Sequence, residues 1–99
     1  MAEVKWTTQS LEDINSIAEY ISKDSVRYAE LFVEKIFYRT EILNKHPRTG
    51  RMVPEIEDES IRELILISYR IIYKIYSSHI DILTVHHSAR LLKNSSLFE

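Results

Sequence analysis

Four stretches in the second half of this chain hold the side chains best suited to chemistry. They are Pro47-Arg48-Thr49-Gly50-Arg51, Ile61-Arg62-Glu63-Leu64, Tyr69-Arg70-Ile71-Ile72-Tyr73 and Val85-His86-His87-Ser88-Ala89-Arg90. Each supplies an arginine, and the last adds two imidazoles. Guanidinium groups gathered around an imidazole can hold an anion, or steady charge developing on a phosphate while the imidazole moves a proton. The plainer alternative is that Arg62, Arg70 and Lys74 pair with Glu63, Asp81 or the acidic run Glu55, Glu57, Asp58, Glu59. Such surface pairs are common and contribute little. Cations arriving from three separate segments favour a functional cluster over three unrelated pairs.

Other chemistries fit less well. His86 and His87 are adjacent, so on a strand they point to opposite faces and make a poor chelating pair. His79 shares a face with His87 but would lie roughly 26 Å away along an extended strand. No cofactor or metal site is expected from this pattern. The chain has no cysteine and one glycine, which removes thiolate chemistry, disulfides and glycine-rich phosphate loops. None of its serines sits in a Gly-x-Ser-x-Gly elbow.

The elements that must position these residues follow from periodicity. Residues 2–6, with Val4 and Trp6, read as a short strand. Thr7, Thr8 and Ser10 offer helix N-caps, Ser10 with Asp13 matching a capping box. Leu11, Ile14, Ile17, Ala18 and Ile21 then fall on one helical face. After the break at residues 22–25, Ser25 can cap a second helix whose stripe is Ala29, Phe32, Val33, Ile36 and Leu43. That helix is expected to run to Lys45 and His46 and to stop at Pro47. Residues 47–60 read as a loop in which Gly50 provides a turn at positive φ. Ile61 to Ile67, Tyr69 to Tyr76 and His79 to His87 are three strands rich in β-branched and aromatic residues. The tail from Leu91 reads as a helical turn or a loose tail.

The expected architecture is therefore α+β, in the order β-α-α-β-β-β, with a helical hairpin packed on one face of a small antiparallel sheet. On strict alternation Ile80, Ile82, Thr84 and His86 share one face of the last strand, and Asp81, Leu83, Val85 and His87 the other. Arg70, Ile72, Lys74 and Tyr76 share a face of the middle strand, expected to be the open, cationic one. The tyrosines of the helices, Tyr20, Tyr28 and Tyr38, could rim a protein interface, although scattered helical tyrosines usually just pack.

Ninety-nine residues make one domain with a modest core. No apolar run reaches the roughly 20 residues of a membrane-spanning helix, and the N-terminus lacks a signal-peptide layout; cytoplasmic residence is the simplest expectation. The net charge is −2, with 5 Lys/Arg against 8 Asp/Glu through Asn44 and 8 against 7 beyond it. Proteins that live on phosphate contacts are usually basic. A nucleic-acid role here would need a local patch, and the balance mildly favours a protein target.

Taken in order, these pieces resemble the RelE/ParE family of bacterial toxins. The resemblance rests on Leu11-Glu12-Asp13-Ile14-Asn15-Ser16-Ile17 with Tyr20-Ile21, the loop Pro47 to Arg51 running on to Val53-Pro54-Glu55, and the strand motifs Arg62-Glu63, Tyr69 to Tyr73 and His87-Ser88-Ala89-Arg90. It spans nearly the whole chain, residues 1–99, as a single toxin domain. It implies the toxin half of a type II toxin–antitoxin pair, neutralised by a cognate antitoxin. RelE-like members cut messenger RNA on the ribosome; ParE-like members poison DNA gyrase. Here Arg70 and Arg90 match RelE arginines, but Ile61 and Glu63 fall where RelE carries lysines, and no Tyr or His follows Arg90. The Pro-x-x-Gly-Arg loop and His-x-Ala-Arg ending are closer to ParE. The resemblance thus implies a gyrase inhibitor, with Arg62, Arg70, Lys74, His87 and Arg90 as target contacts. Leu11, Ile14, Tyr20, Tyr28 and Tyr38 would meet the antitoxin. The alternative is a ribosome-dependent endoribonuclease using Arg62, Arg70, His87 and Arg90.

Overall fold

The computed structural model describes residues 2–88. Strand β1 (Glu3–Trp6) leads into helices α1 (Thr8–Ser22) and α2 (Val26–Thr40). Two 3-10 turns, Glu41–Asn44 and Pro47–Thr49, then carry the chain to β2 (Arg51–Met52), β3 (Ile61–Leu66), β4 (Tyr69–Ile75) and β5 (His79–His87). The five strands form one sheet in the order β1-β5-β4-β3-β2. All pairs are antiparallel except β1 with β5, where Val4 lies beside Ile80 and Trp6 beside Ile82 in parallel. Two helices on a five-strand mixed sheet make the α+β domain that periodicity predicts; β2 is the extra strand, within the segment read as loop.

Helix starts are set by hydroxyls. Thr7, not Ser10, caps α1: its Oγ1 accepts from the Ser10 N–H at 3.1 Å and donates to the Ile82 carbonyl at 2.7 Å. Asp13 is thus released from the expected capping box. It reaches the sheet, accepting from the Val85 N–H at 3.0 Å and from the Thr84 hydroxyl. Ser25 caps α2 as expected, accepting from the Tyr28 N–H at 3.1 Å. The second helix is shorter than its apolar stripe suggests. The Thr40 hydroxyl donates to the carbonyls of Ile36 and Phe37, competing with the helical ladder, and the chain tightens into a 3-10 turn that still buries Leu43.

The main core lies between helices and sheet: Ile14, Phe32, Ile36 and Leu43 meet Leu64, Ile71, Tyr73, Ile80, Ile82 and Val85. Trp6 packs on Phe37 with ring centroids 4.7 Å apart, and Phe32 on Tyr69 at 5.1 Å. Strict alternation fails on β5. Ile72 pairs with Thr84 but Tyr73 with Ile82, so Leu83 is a bulged extra residue. The bulge resets the pleat: Val85 joins Ile80 and Ile82 in the main core, while Leu83 packs on the opposite side of the sheet. That opposite side is not open. Val53, Ile61 and Ile72 form a second buried cluster, with Ile56 and Leu83 packed against it. The segment after β2 folds back to close it.

Gly50 is required for a different reason from the one its loop position suggests. Its φ is −72°, not positive. A side chain is excluded by proximity, since a Cβ there would meet the Glu63 carbonyl oxygen at 2.5 Å and the Tyr73 hydroxyl at 2.6 Å. The left-handed position in the β3–β4 turn falls instead to Ile67, with φ 56°.

Candidate functional site

Three of the four motifs that suggested chemistry, those around Arg51, Glu63 and Arg70, meet where β2, β3 and β4 pair. Glu63 projects from β3 diagonally across from Arg70 on β4, a cross-strand arrangement within side-chain reach. The Glu63 carboxylate is fully buried and accepts from Arg70 Nε at 2.6 Å on one oxygen and from Arg51 Nε at 2.5 Å on the other. Arg70 is only 4% exposed. Its remaining nitrogens form a fork on Glu55, Nη1 to Oε2 at 2.6 Å and Nη2 to Oε1 at 2.9 Å. Hydrogen bonds to Glu55, aided by Glu63 and opposed by burial, hold the Arg70 guanidinium above its ordinary pKa. It is a permanent cation clamped between two carboxylates.

Beside this network sits Tyr73. Its hydroxyl donates to the Pro47 carbonyl at 2.6 Å and accepts from the Gly50 N–H at 2.9 Å. Burial pushes the phenol upward, against the pull of the Gly50 N–H and of Arg62, Arg39 and Arg48. It is therefore a neutral strut, fixing the loop to β4. Arg62 braces the same loop from β3, its Nη1 donating to the Gly50 carbonyl at 2.9 Å and its Nε to the Glu59 carbonyl at 3.0 Å.

The cationic surface expected on β4 is thus corrected at its centre. Arg70 is buried under the loop, and Ile72 beside it belongs to the second apolar cluster. Lys74 is partly buried, its ammonium 5.3 Å from the Tyr76 ring centre. His87 is exposed, edge-on to Tyr69 at 5.8 Å. His79 lies 3.4 Å from Asp81 and stacks on Tyr76. Arg90 lies outside the described residues, as does the tail from Leu91. Among the described residues no group of three His, Asp or Glu could hold a metal ion.

On the helices, Tyr20, Tyr28 and Tyr38 stand out at 69%, 68% and 78% exposure, and Leu11 is also exposed. Ile14 is the exception: it is 5% exposed and part of the main core, so it offers nothing to a partner. A shallow groove runs between the helices, lined by Ala18 of α1 and Val26, Ala29 and Val33 of α2.

Sequence reasoning named Glu63 and the Glu55 run only as the plainer pairing partners, and Arg51 only as part of the loop motif; for Arg70 that plainer pairing is the one present. The signal for Glu63 was present: an acid beside Leu64 and Ile65 in a mostly apolar strand, seven residues before an arginine across a tight turn, asks for a buried partner.

A helical hairpin on this sheet, with the loop locked to β3 and β4, is the fold of the RelE/ParE toxin superfamily. The family described as "ParE toxin of type II toxin-antitoxin system, parDE" matches residues 4–92, and the chain belongs to it. It is 29% identical to Toxin RelE2 of Caulobacter vibrioides, over 92% of this chain and the whole of that protein. It is 36% identical to Putative toxin Y4kP of Sinorhizobium fredii, over 86% of each. In fold it is similar to the chromosomal ParDE toxin–antitoxin system of P. aeruginosa, with TM-score 0.73, 22% identity and coverage of 88% of this chain and 96% of that one. The RelBE2 toxin–antitoxin complex of Mycobacterium tuberculosis gives TM-score 0.58 at 22% identity, over 87% of this chain and 96% of that one. The relatives carry names from both branches.

Proposed function

We propose that this chain is a ParE-like toxin that arrests growth by inhibiting DNA gyrase and does not itself cleave RNA. The observation that carries this reading is the clamp on Arg70. An RNase of the RelE type needs cations open to the scissile phosphate, whereas Arg70 is enclosed by Glu55 and Glu63. The positions that carry lysine in RelE hold a buried isoleucine, Ile61, and the buried Glu63. Neither side chain offers a cation to a phosphate. Pulse-labelling after induction of the chain alone tests the reading: DNA synthesis should fall before protein synthesis, and purified toxin should inhibit gyrase supercoiling. An early fall in protein synthesis would overturn it.

Similarity to Toxin RelE2 favours a second reading, a ribosome-dependent endoribonuclease built on Arg62, Arg70, His87 and Arg90. Replacing His87 should then abolish messenger RNA cleavage while leaving the fold intact. In either case a cognate antitoxin would lay an amphipathic segment along the helical hairpin, where Leu11, Tyr20, Tyr28 and Tyr38 are exposed. Tyr28→Ala with Tyr38→Ala should weaken antitoxin capture without lowering the toxin's own stability; unchanged affinity would place the antitoxin elsewhere.

A further inference from the structure

Three guanidinium groups gather where the end of α2, the turn at Pro47–Thr49 and β3 meet. Arg39 lies in the last turn of α2. Arg48 sits in the turn whose Pro47 carbonyl and neighbouring Gly50 N–H both bond the Tyr73 hydroxyl. Arg62 reaches in from β3, its Nη1 2.9 Å from the Gly50 carbonyl oxygen. The positive charge of all three is felt at the buried Tyr73 hydroxyl, which sets them around one point. None of them forms an ion pair among the described residues. Arg62 spends its Nε and Nη1 on the carbonyls of Glu59 and Gly50. The guanidinium groups of Arg39 and Arg48 have no hydrogen-bond partner among the described residues. Arg39 alone would suit the dipole of α2, but that calls for no second and third guanidinium beside it. In a chain of net charge −2, this is a cluster of like charges held together by the bonds around Tyr73.

We propose that this arginine cluster docks an acidic segment of a partner polypeptide, with separate carboxylates on Arg39 and Arg48 and Arg62 adding its charge. Charge complementarity selects the partner, since a guanidinium fork matches a carboxylate with two parallel N–H bonds. The origin of the cluster in three elements selects a segment over one small anion, because each fork can then meet its own carboxylate. Glu41 and Glu59 lie two and three residues from Arg39 and Arg62 in the chain. Dense phosphate charge would meet more repulsion from them than single carboxylates do. The surface is distinct from the one offered to the antitoxin: Arg39 is roughly 16 Å along α2 from Tyr28.

Fluorescence anisotropy of the full chain with a labelled oligoglutamate at low ionic strength tests this. Wild type should bind the peptide and release it as salt is raised. Arg39→Gln and Arg48→Gln should each weaken binding roughly two- to fivefold, as for exposed ion pairs, and the double variant by about the product. Arg48→Lys should fall between, keeping the charge and losing the fork. Arg27→Gln, in the first turn of α2, should change nothing, and neither should Tyr28→Ala. Arg48 is exposed, so its variants keep the test valid should Arg39→Gln disturb α2. No binding by wild type would overturn the proposal, as would equal binding by wild type and the double variant, or an equal loss with Arg27→Gln. So would tighter binding of an oligothymidylate at matched charge, which would make the ligand a nucleic acid. The assay contains neither gyrase nor antitoxin, so its failure and the failure of the gyrase reading are separate results.

Discussion

On the helix side of the sheet, Ile36, Leu43, Ile71, Tyr73, Ile80 and Ile82 are enclosed by apolar side chains from α1, α2 and the turn that follows. On the other side a single loop does the covering: its Val53 and Ile56 pack on Ile61, Ile72 and Leu83 of the sheet, beside a chain of charges, Arg51, Glu63, Arg70 and Glu55. The first face tolerates any well-fitting apolar set, because dispersion and water exclusion are not directional. The second depends on particular partners: remove one and a charge is left buried without its counterpart.

Breaking the ionic face should give the largest effect. Arg70→Ala leaves Glu63 with only the solvent-exposed Arg51 and should cost about 3–5 kcal/mol in urea unfolding. Replacing both members, Glu63→Leu with Arg70→Met, should cost less than Arg70→Ala alone; a larger cost would mean that the pair is a net stabiliser. On the apolar face, Ile36→Ala should cost about 2–5 kcal/mol, set by the cavity it leaves. Gly50→Ala joins the two faces, since the new methyl must displace either the Glu63 backbone or the braced Tyr73 hydroxyl. Overpacking of this kind costs about 1–3 kcal/mol, and the Gly50 and Tyr73 resonances should shift together in NMR spectra.

The smallest effect concerns pH. Hydrogen bonds from the Ser60 hydroxyl and N–H hold the Asp58 carboxyl below its ordinary pKa. A depressed carboxylate stabilises the fold above its unfolded pKa, and that contribution is lost as pH falls through the folded value. The Ser60 amide resonance should therefore move only below about pH 4, the ordinary aspartate range. Buried amides of the helix face, such as Ile36, should not follow it.

Much of the fold was legible because helical and strand periodicities are local. Leu11, Ile14, Ile17 and Ile21 mark α1, and Ala29, Phe32 and Ile36 mark α2, whatever surrounds them. What stayed hidden depends on distant residues. The bulge at Leu83 appears only when β5 is laid against Tyr73, and Gly50 is constrained by β3 and β4 rather than by its own φ. The site was half legible. Arg70 was singled out by its Tyr-Arg setting, but its burial required knowing that Glu55, fifteen residues earlier, folds back over it. Tyr20, Tyr28 and Tyr38, read as rim residues, stand exposed, whereas Ile14 lies on the inward stripe and belongs to the core.

The parallel pairing of β1 with β5 has a consequence for the order of assembly. Residues 3–6 find their strand partners only at 79–82, and Thr7 docks on the Ile82 carbonyl. Contacts of such long sequence separation form late and slow folding, because a long loop must close before they reward the chain. The α1–α2 hairpin can form early from local contacts, but its first strand and the Thr7 cap must wait until nearly the whole described chain has left the ribosome. A chain wired in this way stays structurally incomplete through most of its own synthesis, its helical hairpin formed before its sheet is closed.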